Sequence, residues 1–200
     1  MPLWQFALGI FFLMFSMFVM AFTPFKDLEL AFMQAISVYR TEHLNQIAQA
    51  LSILGGMPFV LFLCILWSIS LLWYKKHIDI ILIWTGILGG ILLAWLLKFL
   101  IARPRPTEIS HLVHSFGDSF PSAHSVYAGC LMLLLIYITQ QHRWHKIIVC
   151  CALTWMLMMG ISRVYLGVHY PSDVFAGWSI SVIWITLLYQ IYKRYNALYK

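Results

Sequence analysis

The sequence predicts an all-α fold, namely a polytopic membrane protein with a six-helix transmembrane bundle and an interfacial amphipathic segment after the first span. Three observations support this prediction. The 200-residue chain is 62% hydrophobic and only 10% charged, whereas a soluble domain has about 25% charged residues. Several apolar runs approach the roughly 20 residues that a helix needs to cross a bilayer. Most charged residues fall between these runs, which is typical of loops at the two membrane surfaces.

The apolar runs define one membrane domain, residues 1–200, with six spans. The first run has neither the basic leader nor the small-residue cleavage site of a signal peptide, so we interpret it as a retained helix. Pro24 ends this run, and Pro58 suits the first turn of the second span. Gly86, Gly89 and Gly90 predict close helix packing in the third span. The predicted spans cover residues 3–22, 58–74, 78–100, 122–139, 146–161 and 172–192.

Residues 25–56 are less apolar and predict an outer interfacial segment. Leu28, Phe32, Ile36 and Tyr39 recur at helical spacing, as expected for amphipathic helices that lie at the membrane surface. This segment has two interpretations. It is either a connector that caps the bundle or a lid that controls substrate entry.

An even number of spans places both termini on one side of the membrane. The loops on that side carry basic turns, and the basic C-terminal tail lies there too, so the positive-inside rule makes this side cytoplasmic. These basic residues are Lys75, Lys76, Arg143, Lys146, Lys193, Arg194 and Lys200. Three polar stretches at span ends then share the opposite, outer face, and we expect the functional site there. They cover residues 98–106, 120–124 and 162–173.

The net charge of +6 does not indicate a nucleic-acid partner. Basic residues occur singly between apolar runs, whereas a nucleic-acid site needs a continuous basic face. The four cysteines lie inside apolar runs, which favours small hydrophobic fillers over a disulfide framework or a metal site. The expected partner is therefore the lipid bilayer.

Three cations at span ends are candidate anion ligands: Lys98, Arg105 and Arg163. A charge inside a spanning helix costs about 2.5 to 3.5 kcal/mol on insertion scales, so such a residue usually has a partner or a function. A guanidinium group binds phosphate oxygens through two parallel hydrogen bonds, and lysine adds a point charge. The alternative for each residue alone is a side chain that reaches toward lipid headgroups.

Two histidines are candidates for proton transfer and nucleophilic attack. Ser122 and His124 lie at the mouth of the fourth span, where free backbone N–H groups favour an anion. If a helix begins near Pro171, Asp173 can fold back toward His169 and fix its tautomer, which leaves the other ring nitrogen as a nucleophile. The second histidine, when protonated, can donate to a leaving oxygen. The alternative is a pair of interfacial histidines that hydrogen-bond to their neighbours.

Two metal interpretations compete with this one. His111 and His114 are spaced like a ligand pair, but the loop offers no strong third ligand. The set His124, His169 and Asp173 could hold zinc, although the surrounding cations would then have no explanation. We predict no bound metal.

The three stretches together resemble the type 2 phosphatidic acid phosphatase family, which is related in fold to the vanadium haloperoxidases. The family pattern is K-x6-R-P, then P-S-G-H, then S-R-x5-H-x3-D. Its parts are met in order by Lys98, Arg105 and Pro106, by Pro121, Ser122 and His124, and by Ser162, Arg163, His169 and Asp173. One departure is Ala123, which stands where the family usually has glycine and adds a methyl group beside a backbone N–H.

This resemblance implies a lipid phosphate phosphatase that needs neither a metal nor a cofactor. His169 would be the nucleophile that forms a phosphohistidine, and Asp173 would orient it. His124 would protonate the leaving oxygen and then activate water. The residues implied to bind the transferring phosphoryl group are Lys98, Arg105, Ser122, Ala123 and Arg163.

The implied substrate is the phosphate or diphosphate headgroup of a membrane lipid. Undecaprenyl diphosphate is the first expectation, with a broad phosphatidylglycerophosphate or phosphatidate phosphatase as the alternative. A lipid phosphotransferase and a non-enzymatic anion or lipid transporter are the competing functions. The implied location is a bacterial inner or plasma membrane, with both termini cytoplasmic and the active site on the outer, periplasmic or extracellular face.

Overall fold

A computed structural model of the chain describes residues 3–198, and this part forms eight α-helices without a β-strand. The helices are α1 (Leu3–Ala21), α2 (Thr23–Val38), α3 (Glu42–Leu54), α4 (Met57–Trp73), α5 (His77–Ile101), α6 (Ala123–Ile138), α7 (His145–Tyr165) and α8 (Pro171–Leu198). The all-helical prediction is confirmed. Lys200, which was assigned to the basic tail, lies outside the described residues.

Helix α6 lies at the centre of the bundle. Its sequence is apolar on all sides, which is typical of a helix that is buried all round, and it packs against α4, α5, α7 and α8. The glycines of α5 permit close approach, as predicted. A Cβ atom at Gly89 would lie 2.3 Å from the Trp184 ring, and one at Gly90 would lie 2.8 Å from Cys130 Sγ. The core therefore sits among α5, α6 and α8.

Several helices are apolar and long enough to cross a bilayer. By length and composition these are α1, α5, α7 and α8, while α3 and α4 meet the same criterion together as a pair bent by 56°. Helix α6 has only 16 residues, or about 24 Å against a hydrocarbon core of about 30 Å. The count of six spans therefore stays a prediction, although each predicted span corresponds to one of these helices.

Helices α2 and α3 occupy the segment predicted to be amphipathic, and both pack against α7. Leu28 and Phe32 of α2 are 65% and 54% exposed, whereas Glu29 and Met33 on the same helix are buried. Leu28 and Phe32 of the predicted stripe thus face outward, whereas Ile36 packs against the buried cluster that contains Met33. The side of α2 toward the bundle also carries a carboxylate. The position of this segment at the membrane surface stays a prediction.

Helix α7 is longer than the fifth predicted span. It continues past Ile161 to Tyr165, so Ser162 and Arg163 lie in its last turns. Helix α8 begins at Pro171 and places Asp173 in its first turn, as expected.

Candidate active site

The three polar stretches meet at one end of the bundle. This end collects the last turns of α5 and α7, the first turns of α6 and α8, and the loop 102–122. Ser122 N donates to Asp173 O at 3.0 Å, which joins the starts of α6 and α8. Lys98 Nζ donates to the carbonyl oxygens of Asp118 and Ser119, which ties the loop to the end of α5. Residues that are far apart in the sequence therefore form one cluster.

His169 and Asp173 form the buried centre of this cluster. Nδ1 of His169 lies 3.5 Å from Oδ2 of Asp173, within ion-pair distance, and this nitrogen has no partner with hydrogen-bond geometry. Oδ2 also accepts hydrogen bonds from Ser119 Oγ at 2.5 Å and from Tyr170 N at 2.9 Å. Catalytic hydrogen bonds are often long in the absence of substrate and shorten in the complex. The carboxylate is thus held in position to orient the imidazole.

The environment of His169 keeps its ring neutral. Burial, together with the nearby charges of Lys98 and Arg105, lowers the pKa of His169 to about 3, although Asp173 acts in the opposite direction. A neutral imidazole has one ring nitrogen with a free lone pair. With Nδ1 directed to Asp173, that nitrogen is Nε2, which is the arrangement that a nucleophile requires.

His124 and Arg163 share a neighbour in α3. Nε2 of His124 lies 3.1 Å from Ser52 O, and Ser52 Oγ accepts a hydrogen bond of 2.9 Å from Arg163 Nη1. A carbonyl oxygen only accepts, so Nε2 of His124 carries a proton in this contact. Ser52 has no distinguishing signal in the sequence, and it shows that the end of α3 borders the cluster.

The guanidinium group of Arg105 lies beside the ring of His169. Its Nη1 is 3.4 Å from His169 Nε2 and donates to Val168 O at 2.6 Å. Its other nitrogens donate to the carbonyl oxygens of Phe116, Gly117 and Asp118. Burial lowers the pKa of Arg105, but a guanidinium group stays protonated in proteins. Positive charge therefore lies next to the nitrogen with the free lone pair.

Ser122 and Ala123 begin α6. Ser122 is fully buried and is the N-cap of the helix, where its hydroxyl oxygen accepts from Ser125 N at 3.4 Å and from Ser125 Oγ at 2.9 Å. Ala123 is the first helical residue. The structure thus places both residues at the helix mouth, and the Ser122 hydroxyl makes its hydrogen bonds within the first turn of α6.

Within residues 3–198 no three His, Cys, Asp or Glu side chains are placed to hold a metal ion together. His111 Nε2 lies 2.6 Å from Pro106 O, and the His114 ring packs edge-on against Phe116. Neither of the two metal interpretations corresponds to a ligand set in this part of the chain.

Two charged residues at this end were not predicted as site residues. Arg103 Nη1 donates to Asp173 Oδ1 at 2.6 Å, and Arg103 Nη2 donates to Glu29 Oε2 at 3.0 Å. Both Arg103 and Glu29 are buried. The sequence marks neither residue clearly: Arg103 is one of two arginines in the loop after the third span, and Glu29 follows a second acid, Asp27, in the interfacial segment.

Comparisons with known proteins identify the family of the chain. A family model described as the PAP2 superfamily matches residues 79–197. The chain is 32% identical to phosphatidylglycerophosphatase B of Bacillus subtilis (strain 168) over 76% of this chain and 77% of that protein. It is 26% identical to undecaprenyl-diphosphatase BcrC of the same strain over 64% of each chain.

A solved structure has the same fold. It is the crystal structure of a transmembrane PAP2-type phosphatidylglycerolphosphate phosphatase from Bacillus subtilis, with a TM-score of 0.88 and 27% identity over 96% of this chain and 98% of that chain. Sequence and fold therefore agree over most of the chain. The chain belongs to the PAP2 superfamily and is an integral membrane lipid phosphate phosphatase.

Proposed function

We propose that the chain removes the terminal phosphate from a membrane lipid in two steps, through a phosphohistidine on His169. The observation that carries this proposal is the buried, neutral imidazole of His169 between the Asp173 carboxylate and the Arg105 guanidinium group. In this mechanism, the predicted site residues have the roles that the family resemblance implies.

In the first step, the Nε2 lone pair of His169 attacks phosphorus as the bond from phosphorus to the lipid oxygen breaks. The electron pair of that bond goes to the leaving oxygen, which takes a proton from His124. Asp173 stabilises the positive charge that develops on the His169 ring through Nδ1–H. The products are the dephosphorylated lipid and phosphohistidine.

In the second step, neutral His124 takes a proton from water as the water oxygen attacks phosphorus. The N–P bond breaks, its electron pair returns to His169, and orthophosphate leaves. Lys98, Arg105 and Arg163 supply the positive charge that the phosphoryl oxygens require in both transition states. Ser122 and the backbone N–H of Ala123 would contribute hydrogen bonds at the start of α6.

An apolar groove beneath the site supports a substrate with a hydrocarbon tail. This groove has a volume of about 540 Å³ and lies among α4, α6 and α7. Leu54, at its upper end, is two residues beyond Ser52, which contacts His124. Leu131 and Trp155 line it further down, and Leu131 lies about two helical turns below His124 on α6. A lipid can therefore place its phosphate at the cluster and its tail in the groove.

Phosphatidylglycerophosphate is the first substrate that we propose. The sequence alone favoured undecaprenyl diphosphate. The 32% identity with a phosphatidylglycerophosphatase and the TM-score of 0.88 with a phosphatidylglycerolphosphate phosphatase now support phosphatidylglycerophosphate instead. Undecaprenyl diphosphate is the second candidate, which the 26% identity with BcrC supports.

We also propose the orientation that the sequence indicates. One membrane domain, residues 1–200, with six spans would leave both termini in the cytoplasm and the cluster at the outer face, because the basic turns lie at the other end of the bundle. Residues 25–56 would lie at the outer surface, where α2 and α3 border the cluster. Cysteine labelling with a membrane-impermeant reagent at Ser115 and at Lys193 tests this arrangement, since only the first position should react in intact cells.

The test of function is phosphate release by the purified protein in detergent with EDTA. The substrates are phosphatidylglycerophosphate, undecaprenyl diphosphate, phosphatidate and a short-chain phosphatidate. We expect release from the long-chain lipids by the wild type and by His114→Ala, an exposed loop histidine outside the cluster. Release only after a divalent metal is added, or a newly phosphorylated acceptor lipid in place of orthophosphate, would contradict the proposal.

Replacing Arg105 by lysine should lower kcat/KM by about 10- to 100-fold, because the planar group that binds two oxygens at once is lost. Lysine keeps the charge but has at most three donors, which cannot reproduce the contacts of Arg105 with Val168, Gly117 and Phe116. Steady-state kinetics on the long-chain lipid measure the effect. Lys26→Arg is the control for exchanging lysine and arginine outside the cluster, and it should have wild-type kinetics. Wild-type kinetics for Arg105→Lys would show that Arg105 does not bind the phosphate.

Acidification should destabilise the wild type through His169. The unfolded ring takes up a proton near pH 6.5, whereas burial lowers the pKa of the folded ring to about 3. The unfolded state thus binds more protons in this window, so stability is lost as the pH falls from 6.5 toward 3. Between pH 7 and pH 5 this term amounts to about 2 kcal/mol.

Thermal unfolding of the wild type and of His169→Gln in the same detergent measures this difference. The wild type should lose more thermal stability on acidification than the variant, which has no titrating ring. Equal losses would show that His169 titrates normally in the folded protein.

A further inference from the structure

Arg103 lies between two carboxylates from different helices. Its guanidinium group is buried, donates from Nη1 to Asp173 Oδ1 at 2.6 Å and donates from Nη2 to Glu29 Oε2 at 3.0 Å. Nη1 also donates to Ser172 Oγ at 2.8 Å, and the Tyr170 ring covers the guanidinium carbon at 3.8 Å. The guanidinium group of Arg103 is thus surrounded by these side chains next to Asp173.

The two oxygens of Asp173 have separate partners. Oδ1 accepts from Arg103, whereas Oδ2 accepts from Ser119 Oγ and Tyr170 N and lies 3.5 Å from His169 Nδ1. Arg103 therefore contacts the carboxylate through the oxygen that does not face the imidazole. Its donors are directed to Asp173, Glu29 and Ser172, and none of these contacts is with His169.

Glu29 joins α2 to the first turn of α8. Its Oε1 accepts from Ser172 N at 2.6 Å, and its Oε2 accepts from Ser172 Oγ at 3.0 Å as well as from Arg103. A carboxylate at a helix start satisfies a free backbone N–H and interacts favourably with the helix dipole. Glu29 thus caps α8 from a neighbouring helix, one residue before Asp173.

These contacts form a relay from α2 to the nucleophile. We propose that Glu29 and Arg103 are positioning residues, which fix the Asp173 carboxylate so that its Oδ2 orients His169; this rests on the proposed role of His169. A buried carboxylate is stable only when paired, and a guanidinium group cannot lose its charge to relieve the pairing. Arg103 therefore keeps Asp173 ionised and stationary, and Glu29 fixes both Arg103 and the turn that carries Asp173.

The relay predicts a separation of kinetic effects. Arg103→Met should lower kcat by about 10- to 100-fold, since small displacements of a catalytic group have effects of this size. KM and the inhibition constant of orthovanadate, a phosphate mimic, should stay within about twofold of the wild type, because Arg103 does not bind the phosphate. A 10- to 100-fold rise in KM with unchanged kcat would identify Arg103 as a phosphate ligand and overturn the proposal.

A double-mutant cycle with Asp173→Asn tests whether Arg103 acts through Asp173. In the Asp173→Asn background, Arg103→Met should lower kcat by less than about threefold, because the group that it positions has already lost its charge. If Arg103 had a merely structural role, the losses of kcat from Arg103→Met and Asp173→Asn would multiply in the double mutant, and that result would overturn the proposal. A large loss of kcat in Asp173→Asn alone would still support the phosphatase mechanism.

Glu29→Gln decides the matter if Arg103→Met does not fold. This variant keeps the size of the side chain and lowers kcat by about 5- to 10-fold through Arg103, again without effect in the Asp173→Asn background. The matched control is Asp27→Asn, an exposed carboxylate on the same helix, which should have wild-type kinetics. Equal kcat values for Glu29→Gln and Asp27→Asn in the folded proteins would refute the relay.

Discussion

Replacing His169 by glutamine should abolish phosphate release, with a loss of kcat on the order of 10⁴-fold or more, as expected when a nucleophile is removed. Glutamine is preferable to alanine because the imidazole is buried, with only 3% of the residue exposed, and an unfilled cavity would destabilise the protein. The measurement is orthophosphate release from phosphatidylglycerophosphate labelled with ³²P in the terminal phosphate, together with acid-labile label on the quenched protein. The wild type should carry such label and His169→Gln should carry none.

The control for this substitution is His114→Ala, which removes an exposed histidine that packs against Phe116. This variant should retain wild-type release and labelling. Acid-labile label on folded His169→Gln would place the covalent intermediate on another residue and contradict the proposed mechanism.

Replacing His124 by alanine should lower kcat on lipid substrates by about 10²- to 10⁴-fold, the range for loss of a general acid. The two proposed roles of His124 are to protonate the leaving oxygen and to activate water. A substrate whose leaving group needs no proton distinguishes between them. With a nitrophenyl phosphate as substrate, the leaving group is nitrophenolate, which departs without a proton. The first step should therefore persist in His124→Ala, whereas hydrolysis of the phosphohistidine still needs a base. The acid-labile label should therefore accumulate on His124→Ala with this substrate and exceed that on the wild type.

Ser52→Ala distinguishes the effect of losing His124 from the effect of disturbing Ser52, which contacts both His124 and Arg163. It removes the hydroxyl that contacts Arg163 but keeps the carbonyl that contacts His124. Ser52→Ala should not accumulate label. Equal losses of His124→Ala on the lipid and on nitrophenyl phosphate, without accumulation, would show that His124 does not transfer the proton to the leaving oxygen.

Local sequence spacing predicted much of the fold and the cluster. The span 122–139 corresponds to α6, Ala123–Ile138, because apolar length and Pro121 mark its limits. The four-residue spacing of His169 and Asp173 predicted that a helix start at Pro171 brings the two side chains together, and their nitrogen and oxygen lie 3.5 Å apart. Such features depend on residues within one or two turns, which a sequence shows directly.

Contacts between distant helices do not follow from local spacing in the sequence. Arg103 pairs with Glu29 across 74 residues and with Asp173 across 70 residues, and no spacing rule connects them. Their pairing follows from the way α2 packs at the start of α8, which the sequence pattern does not specify. The same applies to the burial of His169, which local spacing does not indicate.

The cations of the cluster already have oxygen partners. Lys98 and Arg105 donate to carbonyl oxygens of residues 116–119, and Arg163 donates to the Ser52 hydroxyl. In the proposed mechanism, an arriving phosphate must exchange places with these oxygens, so its binding free energy is only the difference between two sets of hydrogen bonds. Orthophosphate has no tail that could add to this difference, whereas the proposed lipid substrate has one. The proposal therefore predicts that the protein binds its lipid substrate more strongly than its inorganic product.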